Sequence, residues 1–68
     1  MPGIYEFYKN RIYATRNYPF DSARGILLTV IRCADNDECL TRGERIIIID
    51  NAITEMRWRE LQEGRKEN

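Results

Sequence analysis

Histidine is absent from this sequence, and its 68 residues include only two cysteines, four glycines and two prolines. The absence of histidine removes the commonest general base and the commonest zinc ligand of proteins. Two cysteines are too few for the four thiolates of a structural zinc site within one chain. A glycine-rich phosphate-binding loop is missing as well. We therefore expect a protein that is not an enzyme, with no catalytic residues, no metal site and no cofactor.

Long apolar runs are also lacking, since no stretch approaches the roughly 18 residues that span a membrane. The amino-terminal residues MPGIYEF do not show the basic and then apolar segments that are typical of a signal peptide. With 43% hydrophobic and 32% charged residues, the composition is typical of a small soluble globular domain. These features predict a cytoplasmic protein that has no membrane partner.

A net charge of one sign is lacking too, because the 11 basic and 11 acidic residues balance. Residues 1–34 nevertheless carry five basic and two acidic side chains, whereas residues 35–68 carry six and nine. Nine of the basic residues are arginines, which bind planar anionic groups and stack on aromatic rings. This composition favours recognition surfaces, but zero net charge argues against strong binding of nucleic acids.

The first segment, residues 4–15, reads IYEFYKNRIYAT and predicts a β-hairpin. Asparagine tolerates the left-handed backbone of a two-residue turn, which places that turn at Lys9-Asn10. Phe7 then lies opposite Ile12, and the alternation of side chains gives one apolar face and one aromatic, charged face. Turn chemistry and side-chain pattern therefore agree on two antiparallel strands.

Residues 16–25 contain proline, aspartate, serine and glycine, and they predict a surface loop between two strands. The alternative is a helix that is capped by Asp21 or Ser22 and continues into the apolar segment ILLTVI. Gly25 and the β-branched residues 29–31 argue against that helix, because both lower helix propensity.

Three further strands and a helix complete the predicted fold. The strands are residues 26–33, 39–42 and 45–50, joined by a polar turn at 34–38 and a glycine-first turn at Gly43-Glu44. Residues 52–63 have apolar side chains at helical spacing and predict a helix, with a fifth strand over 53–58 as the alternative. Residues 64–68 predict a flexible tail. The expected fold is mainly β (α+β): one domain of residues 1–63, a small antiparallel barrel or meander of four to five strands with a short carboxy-terminal helix.

The run RIIIID, residues 45–50, places four consecutive isoleucines in one predicted strand. Because neighbouring side chains of a strand point to opposite faces, both faces of this strand are apolar. Each buried isoleucine contributes about 1.5–3 kcal/mol relative to exposure, so we expect a second layer over the strand. The carboxy-terminal helix, a second copy of the chain or a protein partner would each supply that layer. The residues expected at the dimer or helix-packing surface are Ile47, Ile49, Met56 and Trp58.

Tyrosines and arginines alternate on the outer face of the predicted hairpin and in the loop after it. They are Tyr8, Arg11, Tyr13, Arg16 and Tyr18. Both residue types are enriched at protein-binding hot spots, and they also stack bases and neutralise phosphates. Packing at the edge of a small barrel is the structural alternative. We expect these five residues to bind a partner protein, with nucleic acid as the second candidate.

Cys33 and Cys39 flank a five-residue polar turn, and antiparallel pairing across it makes a disulfide geometrically feasible. In a cytoplasmic protein we expect two reduced, partly buried thiols instead. Residues 35–38 of the turn, Asp-Asn-Asp-Glu, lack the ligand and glycine positions of a calcium loop, so they predict a solvated turn.

The residues Pro2-Gly3-Ile4-Tyr5, the turn after Lys9 and the strand that contains Tyr13 resemble small SH3-like β-barrel domains of uncharacterised bacterial and phage proteins. Those domains often begin with Pro-Gly-x-Tyr and turn at Lys-Gly, whereas Asn10 follows Lys9 in this chain. The resemblance covers about half of the chain. It implies a barrel that acts as a binding module and has no catalytic residues.

These features predict a small non-enzymatic regulator that binds and modulates or inhibits a host protein, such as an accessory protein of a phage or mobile element. A nucleic-acid-binding regulator that uses the tyrosine–arginine face is one alternative. A structural homodimer held together by the isoleucine strand is another.

Overall fold

The computed structural model describes residues 3–66 and shows three α-helices. The helices are α1 (Ile4–Ala14), α2 (Phe20–Asp35) and α3 (Arg42–Lys66), and a 3-10 turn at Thr15–Asn17 follows α1. Residues 3–66 contain no β-strand, so the prediction of a mainly β barrel or meander is wrong. The resemblance to SH3-like domains is not supported either, and Pro2, on which it partly depends, lies outside the described residues.

Helix α1 occupies the segment of the predicted hairpin. Tyr8, Ile12 and Thr15 recur at intervals of four and three residues, which places them on one side of a helix. All three are buried, and the predicted turn at Lys9-Asn10 lies inside the helix. A segment this short fits both a period of two and a period of 3.6, and the burial of one helical side decides between them.

Helix α2 begins after Pro19 and includes both the predicted loop and the first predicted strand of the meander. Its buried residues are Ala23, Leu27, Val30 and Ala34, at intervals of four, three and four. The helical alternative is therefore the observed structure in this region. Burial of this apolar side outweighs the low helix propensity of Gly25 and of residues 29–31. The Thr29 hydroxyl donates to the Gly25 carbonyl oxygen at 3.0 Å and so has a partner within the helix.

Helix α3 begins at a capping box formed by Thr41 and Glu44. The Glu44 N–H donates to Oγ1 of Thr41 at 3.1 Å, and the Thr41 N–H donates to Oε1 of Glu44 at 2.8 Å. Gly43-Glu44 therefore lies in the first turn of a helix, and the predicted strands on either side of it are wrong. Residues 52–63 form the middle of α3, which continues to Lys66. Of the predicted tail, residues 64–66 are helical and residues 67–68 lie outside the described part.

The four isoleucines of the run point in different directions around α3, because successive residues of a helix are about 100° apart. Ile48 is completely buried and Ile49 is partly buried, whereas Ile46 remains 60% exposed and Ile47 46% exposed. The prediction of a strand with two dry faces is therefore wrong. The run supplies one fully buried core residue and leaves two of its isoleucines open to solvent.

The three helices surround one core. Its buried members are Tyr8, Ile12, Leu27, Val30, Ala34, Leu40, Ile48 and Ala52. Residues 36–41 connect α2 to α3, and so short a connection makes these two helices antiparallel neighbours. Phe20, at the start of α2, accordingly lines the same surface groove as Gly64, near the end of α3.

Asp37 holds the connection between α2 and α3 in place. Its carboxylate accepts hydrogen bonds from the Tyr8 hydroxyl at 2.8 Å and from the Cys39 N–H at 2.9 Å. Its backbone carbonyl accepts hydrogen bonds from Nε of Arg45 at 3.0 Å and from the Leu40 N–H at 3.2 Å. The predicted solvated turn is therefore tied to α1 and α3, which fixes where α3 begins relative to the other helices.

Candidate functional site

The end of α1, the 3-10 turn and the second half of α3 meet at a surface where two aromatic rings contact one arginine. The guanidinium carbon of Arg16 lies 4.9 Å from the Tyr13 ring centre and 5.8 Å from the Trp58 ring centre. Both distances fall within the ~6 Å typical of cation–π contacts. We call Tyr13, Arg16 and Trp58 the arginine stack.

An ion pair with Glu55 fixes the position of Arg16. Nε of Arg16 donates to Oε2 at 3.0 Å and Nη2 donates to Oε1 at 3.2 Å, so the contact is bidentate. The Arg16 side chain is 52% exposed, whereas that of Glu55 is only 10% exposed. The hydrogen bond and the charge of Glu55 raise the pKa of the Arg16 guanidinium above its already high usual value. Arg16 is therefore permanently charged, and the chain itself balances that charge.

A second arginine of α3 attaches the 3-10 turn to the helix. Nη1 of Arg59 donates to the carbonyl oxygen of Thr15 at 3.1 Å, and Nη2 donates to that of Tyr18 at 2.9 Å. The Thr15 hydroxyl in turn donates to the Ile12 carbonyl oxygen at 2.6 Å. These bonds satisfy backbone carbonyls at the end of α1 and hold Arg16, within the turn, in one position.

The aromatic members of the arginine stack are open to solvent, with Tyr13 66% exposed and Trp58 48% exposed. Beside them a groove of about 430 Å³ runs between α1 and α3, with Lys9, Asn51 and Thr54 among its lining residues. Its lining is as polar as it is apolar, which differs from the mostly apolar lining typical of small-molecule sites. This surface is suited to contact with a macromolecule.

The five tyrosines and arginines of the predicted binding face do not form one surface in the structure. Tyr8 is buried, and burial together with its hydrogen bond to Asp37 raises its pKa to about 12. Arg11 and Tyr18 line a second groove, between α1 and α2, while Tyr13 and Arg16 belong to the arginine stack. Of the five residues, only Tyr13 and Arg16 are in direct contact with each other. Tyr8 belongs to the core and is not part of a binding surface.

The four residues of the predicted dimer or helix-packing surface do not share one surface either. Ile49 and Met56 are partly buried against the core. Ile47 is exposed, and Trp58 contacts Arg16 in the arginine stack. They therefore occupy different sides of α3, whereas the predicted strand arrangement puts Ile47 and Ile49 on one face.

Glu55 and Arg59 are site residues that are not among those predicted from the sequence. The signal for Glu55 is its spacing, because it lies seven residues after Ile48 and three after Ala52, on the buried side of α3. A carboxylate on such a side requires a partner, since burying an unpaired charge is costly. No comparable sequence signal identifies Arg59, because its partners are backbone carbonyls of another element.

The two cysteines and the acidic turn do not form a metal site. Cys33 and Cys39 are free thiols, and both are exposed rather than partly buried. Within the described part of the chain, no group of three or more cysteine, aspartate or glutamate side chains is arranged to hold a metal ion.

No protein-family model, curated protein or solved structure matches this chain. Among the helices described here, none combines the length and the apolar character needed to cross a lipid bilayer.

Proposed function

We propose that this chain is a non-enzymatic regulatory module that binds a partner protein through the arginine stack. The observation that carries the proposal is the pair of exposed aromatic rings, Tyr13 and Trp58, that both contact the ion-paired Arg16. Tryptophan, tyrosine and arginine are the residues most enriched among binding hot spots. Their side chains contribute large contact areas when a partner covers them.

The fixed geometry of the arginine stack supports the same proposal. Glu55 and Arg59 together make four hydrogen bonds that hold Arg16 and the 3-10 turn in position before any partner arrives. A surface that is ordered in advance loses less conformational entropy on binding. The arginine stack therefore has the rigidity expected of a recognition surface as well as its composition.

The charge at the surface favours a protein partner over a nucleic acid. Glu55 balances the charge of Arg16, and Glu6 lines the same groove as Lys9. Affinity for nucleic acids depends on uncompensated lysines and arginines that displace counterions from phosphates. A phage or mobile-element setting loses its support together with the barrel resemblance. The proposal places the chain in the cytoplasm, where exposed thiols such as Cys33 stay reduced.

Site-specific photocrosslinking tests the proposal. A benzophenone amino acid replaces Tyr13 in one variant and Thr29, exposed on α2, in the control variant. Each variant is expressed in cells of the source organism and irradiated, and adducts are identified by mass spectrometry. We expect one defined protein adduct at position 13 and none of that identity at position 29. Adding Arg16→Ala should reduce its yield at least about threefold, because the exposed stack loses its central contact.

Three outcomes would contradict the proposal. The first is the same set of adducts at both positions, which would indicate nonspecific contact. The second is the absence of any adduct at position 13. The third is crosslinking to nucleic acid alone, which would favour the alternative regulator.

A further inference from the structure

The side of α3 opposite its buried residues carries a regular row of four exposed residues around the partly buried Ile53. Ile46, Asp50, Ile53, Arg57 and Leu61 follow one another at intervals of four, three, four and four residues, which places them on one side of a helix. We call these five residues the α3 stripe. Ile46 and Leu61, at its two ends, are 60% and 63% exposed, and Asp50 and Arg57 are exposed between them.

The charges of the α3 stripe have no partner among the residues that the structure describes. For the part that the structure describes, neither Asp50 nor Arg57 forms an ion pair or a side-chain hydrogen bond. The two residues are seven positions apart, about 10 Å along the helix, which is too far for a contact with each other. Large apolar side chains and unpaired opposite charges therefore share one open surface.

The order of residues along the stripe is self-complementary when a second copy runs in the opposite direction. In an antiparallel pair about a two-fold axis near Ile53, Asp50 faces the partner's Arg57, and Ile46 faces the partner's Leu61. The same register places Gly43 opposite the partner's Gly64, and a Cβ atom at either glycine would meet nothing within 4 Å in the single chain. We infer that the chain forms a homodimer through antiparallel contact of its α3 stripes.

A second copy fits this surface better than an unrelated protein, because one register pairs both charged residues and both terminal apolar residues of the stripe and leaves Ile53 beside the two-fold axis. Two-fold interfaces require this kind of self-complementarity, in which residue i meets residue j and j meets i. A parallel arrangement would instead place Asp50 against the partner's Asp50 and Arg57 against the partner's Arg57. Like charges directly opposite each other oppose association, so the antiparallel direction is specified.

The dimer contact is narrow, so we expect its affinity to be low. From Gly43 to Gly64 the contact is about 30 Å long, but only one helix side wide. Such an area is below the size typical of stable complexes, so we expect reversible dimerisation in the micromolar-to-millimolar range. Trp58 follows Arg57 and lies about 100° around α3 from it, which places the arginine stack beside the α3 stripe and not within it.

Sedimentation velocity of charge variants tests the inference. The wild type should shift with concentration from 8.1 kDa toward twice that mass. Asp50→Arg and Arg57→Asp should each weaken dimerisation about tenfold or more, because each turns two attractive pairs into repulsive ones. The double variant Asp50→Arg/Arg57→Asp should return to within about threefold of the wild type. An equimolar mixture of the two single variants should form a heterodimer for the same reason.

A crosslinking experiment tests direction and register independently. In a background with Cys33→Ser and Cys39→Ser, oxidation of an Ile53→Cys variant should give a covalent dimer. The matched Ile46→Cys variant should not, because the two introduced thiols would lie about 22 Å apart in the antiparallel register. Glu38→Arg, a charge reversal on the exposed connection between α2 and α3, serves as the control and should leave dimerisation unchanged.

Several results would overturn the inference. A wild type that remains a monomer at 1 mM would do so, and so would a dimer that is insensitive to both single charge reversals. Disulfide formation in the Ile46→Cys variant would indicate a parallel pair instead. Failure of the dimer is distinguishable from failure of the proposed function, because the Tyr13 photocrosslink does not require the α3 stripe.

Discussion

Glu55 combines two properties that are usually kept apart, since it is a charged residue on the buried side of a helix. Its carboxylate is almost completely covered, and the bidentate contact with Arg16 satisfies both of its oxygens. Such a pair contributes less to stability than to geometry, because desolvation offsets much of the attraction. Its effect is to hold the Arg16 guanidinium within cation–π distance of the rings of Tyr13 and Trp58.

The buried hydroxyl of Tyr8 makes stability dependent on alkaline pH. Burial, and then the hydrogen bond to Asp37, raise the Tyr8 pKa from 10.0 to about 12. The folded state therefore holds this proton between pH 10 and 12 while the unfolded state releases it, so the free energy of unfolding falls as pH rises through that range. Urea unfolding followed by circular dichroism should show this loss, and Tyr8→Phe should remove the part that Tyr8 causes.

The exposed Tyr18 provides the control for this prediction, because Tyr18→Phe should keep the alkaline loss of stability of the wild type.

Asp37 affects stability at acidic pH. The hydrogen bond that Tyr8 donates lowers the Asp37 pKa below 3.8, so its contribution is complete above that value and is lost as the carboxylate is protonated in acid. Identical alkaline stability profiles for the wild type and Tyr8→Phe would contradict the prediction for Tyr8.

At the scale of single elements, the helices show which sequence signals are specific. The sequence Thr41-Arg-Gly-Glu44 before an apolar run is a capping box, and it marks the start of α3 more reliably than Gly43 marks a hairpin turn. Residues 52–63 are recognisable as helical from their spacing. Helix α1 is not, because 11 residues satisfy both the strand and the helix period.

Helix α2 shows how packing overrides local preference. Gly25 and the β-branched residues 29–31 disfavour a helix locally, but Leu27, Val30 and Ala34 bury a continuous side against the rest of the protein. The core composition could therefore be predicted in part from helical spacing, once a helix is assumed. The site could be predicted less well, since Arg16 and Tyr13 meet Trp58 and Arg59 only through tertiary packing.

Substitution of Gly25 tests the balance between packing and helix propensity in α2. A Cβ atom at this position would meet nothing within 4 Å, and the residue lies in the interior of α2. Gly25→Ala should therefore raise the free energy of unfolding by about 1 kcal/mol, through higher helix propensity and a less flexible unfolded chain. Urea unfolding at neutral pH measures the change.

Gly3 supplies the matched control, because it is the N-cap residue of α1 with an extended backbone. Glycine is preferred over alanine at that position, so Gly3→Ala should give no stabilisation. A loss of stability in Gly25→Ala would show that α2 does not have the regular interior described above.

At the scale of the whole molecule, one small core holds three helices together. A chain of 68 residues buries only about 60% of the surface that it exposes when unfolded, so each core side chain matters. The long α3 contributes to the core, to the arginine stack through Trp58, and to the α3 stripe. The molecule, 43 Å in its longest dimension, is organised along that helix.

The isoleucine run gives a matched pair of substitutions that tests this organisation. Ile48→Val removes one methyl group from a completely buried side chain and should lower the free energy of unfolding by about 0.5–1.5 kcal/mol. Ile47→Val removes the same group from an exposed side chain and should change it by less than about 0.5 kcal/mol. Equal losses in the two variants, measured by urea unfolding, would be incompatible with α3 as described.

Trp58 is the sole tryptophan of the chain, and its indole ring lies beside a permanently charged guanidinium. Indole emission responds to nearby charge and to exclusion of water, so a molecule that covers this ring alters an optical signal that the protein already possesses. The α3 stripe contains no such chromophore. Titrations can therefore follow occupancy at one surface in real time with an unlabelled protein.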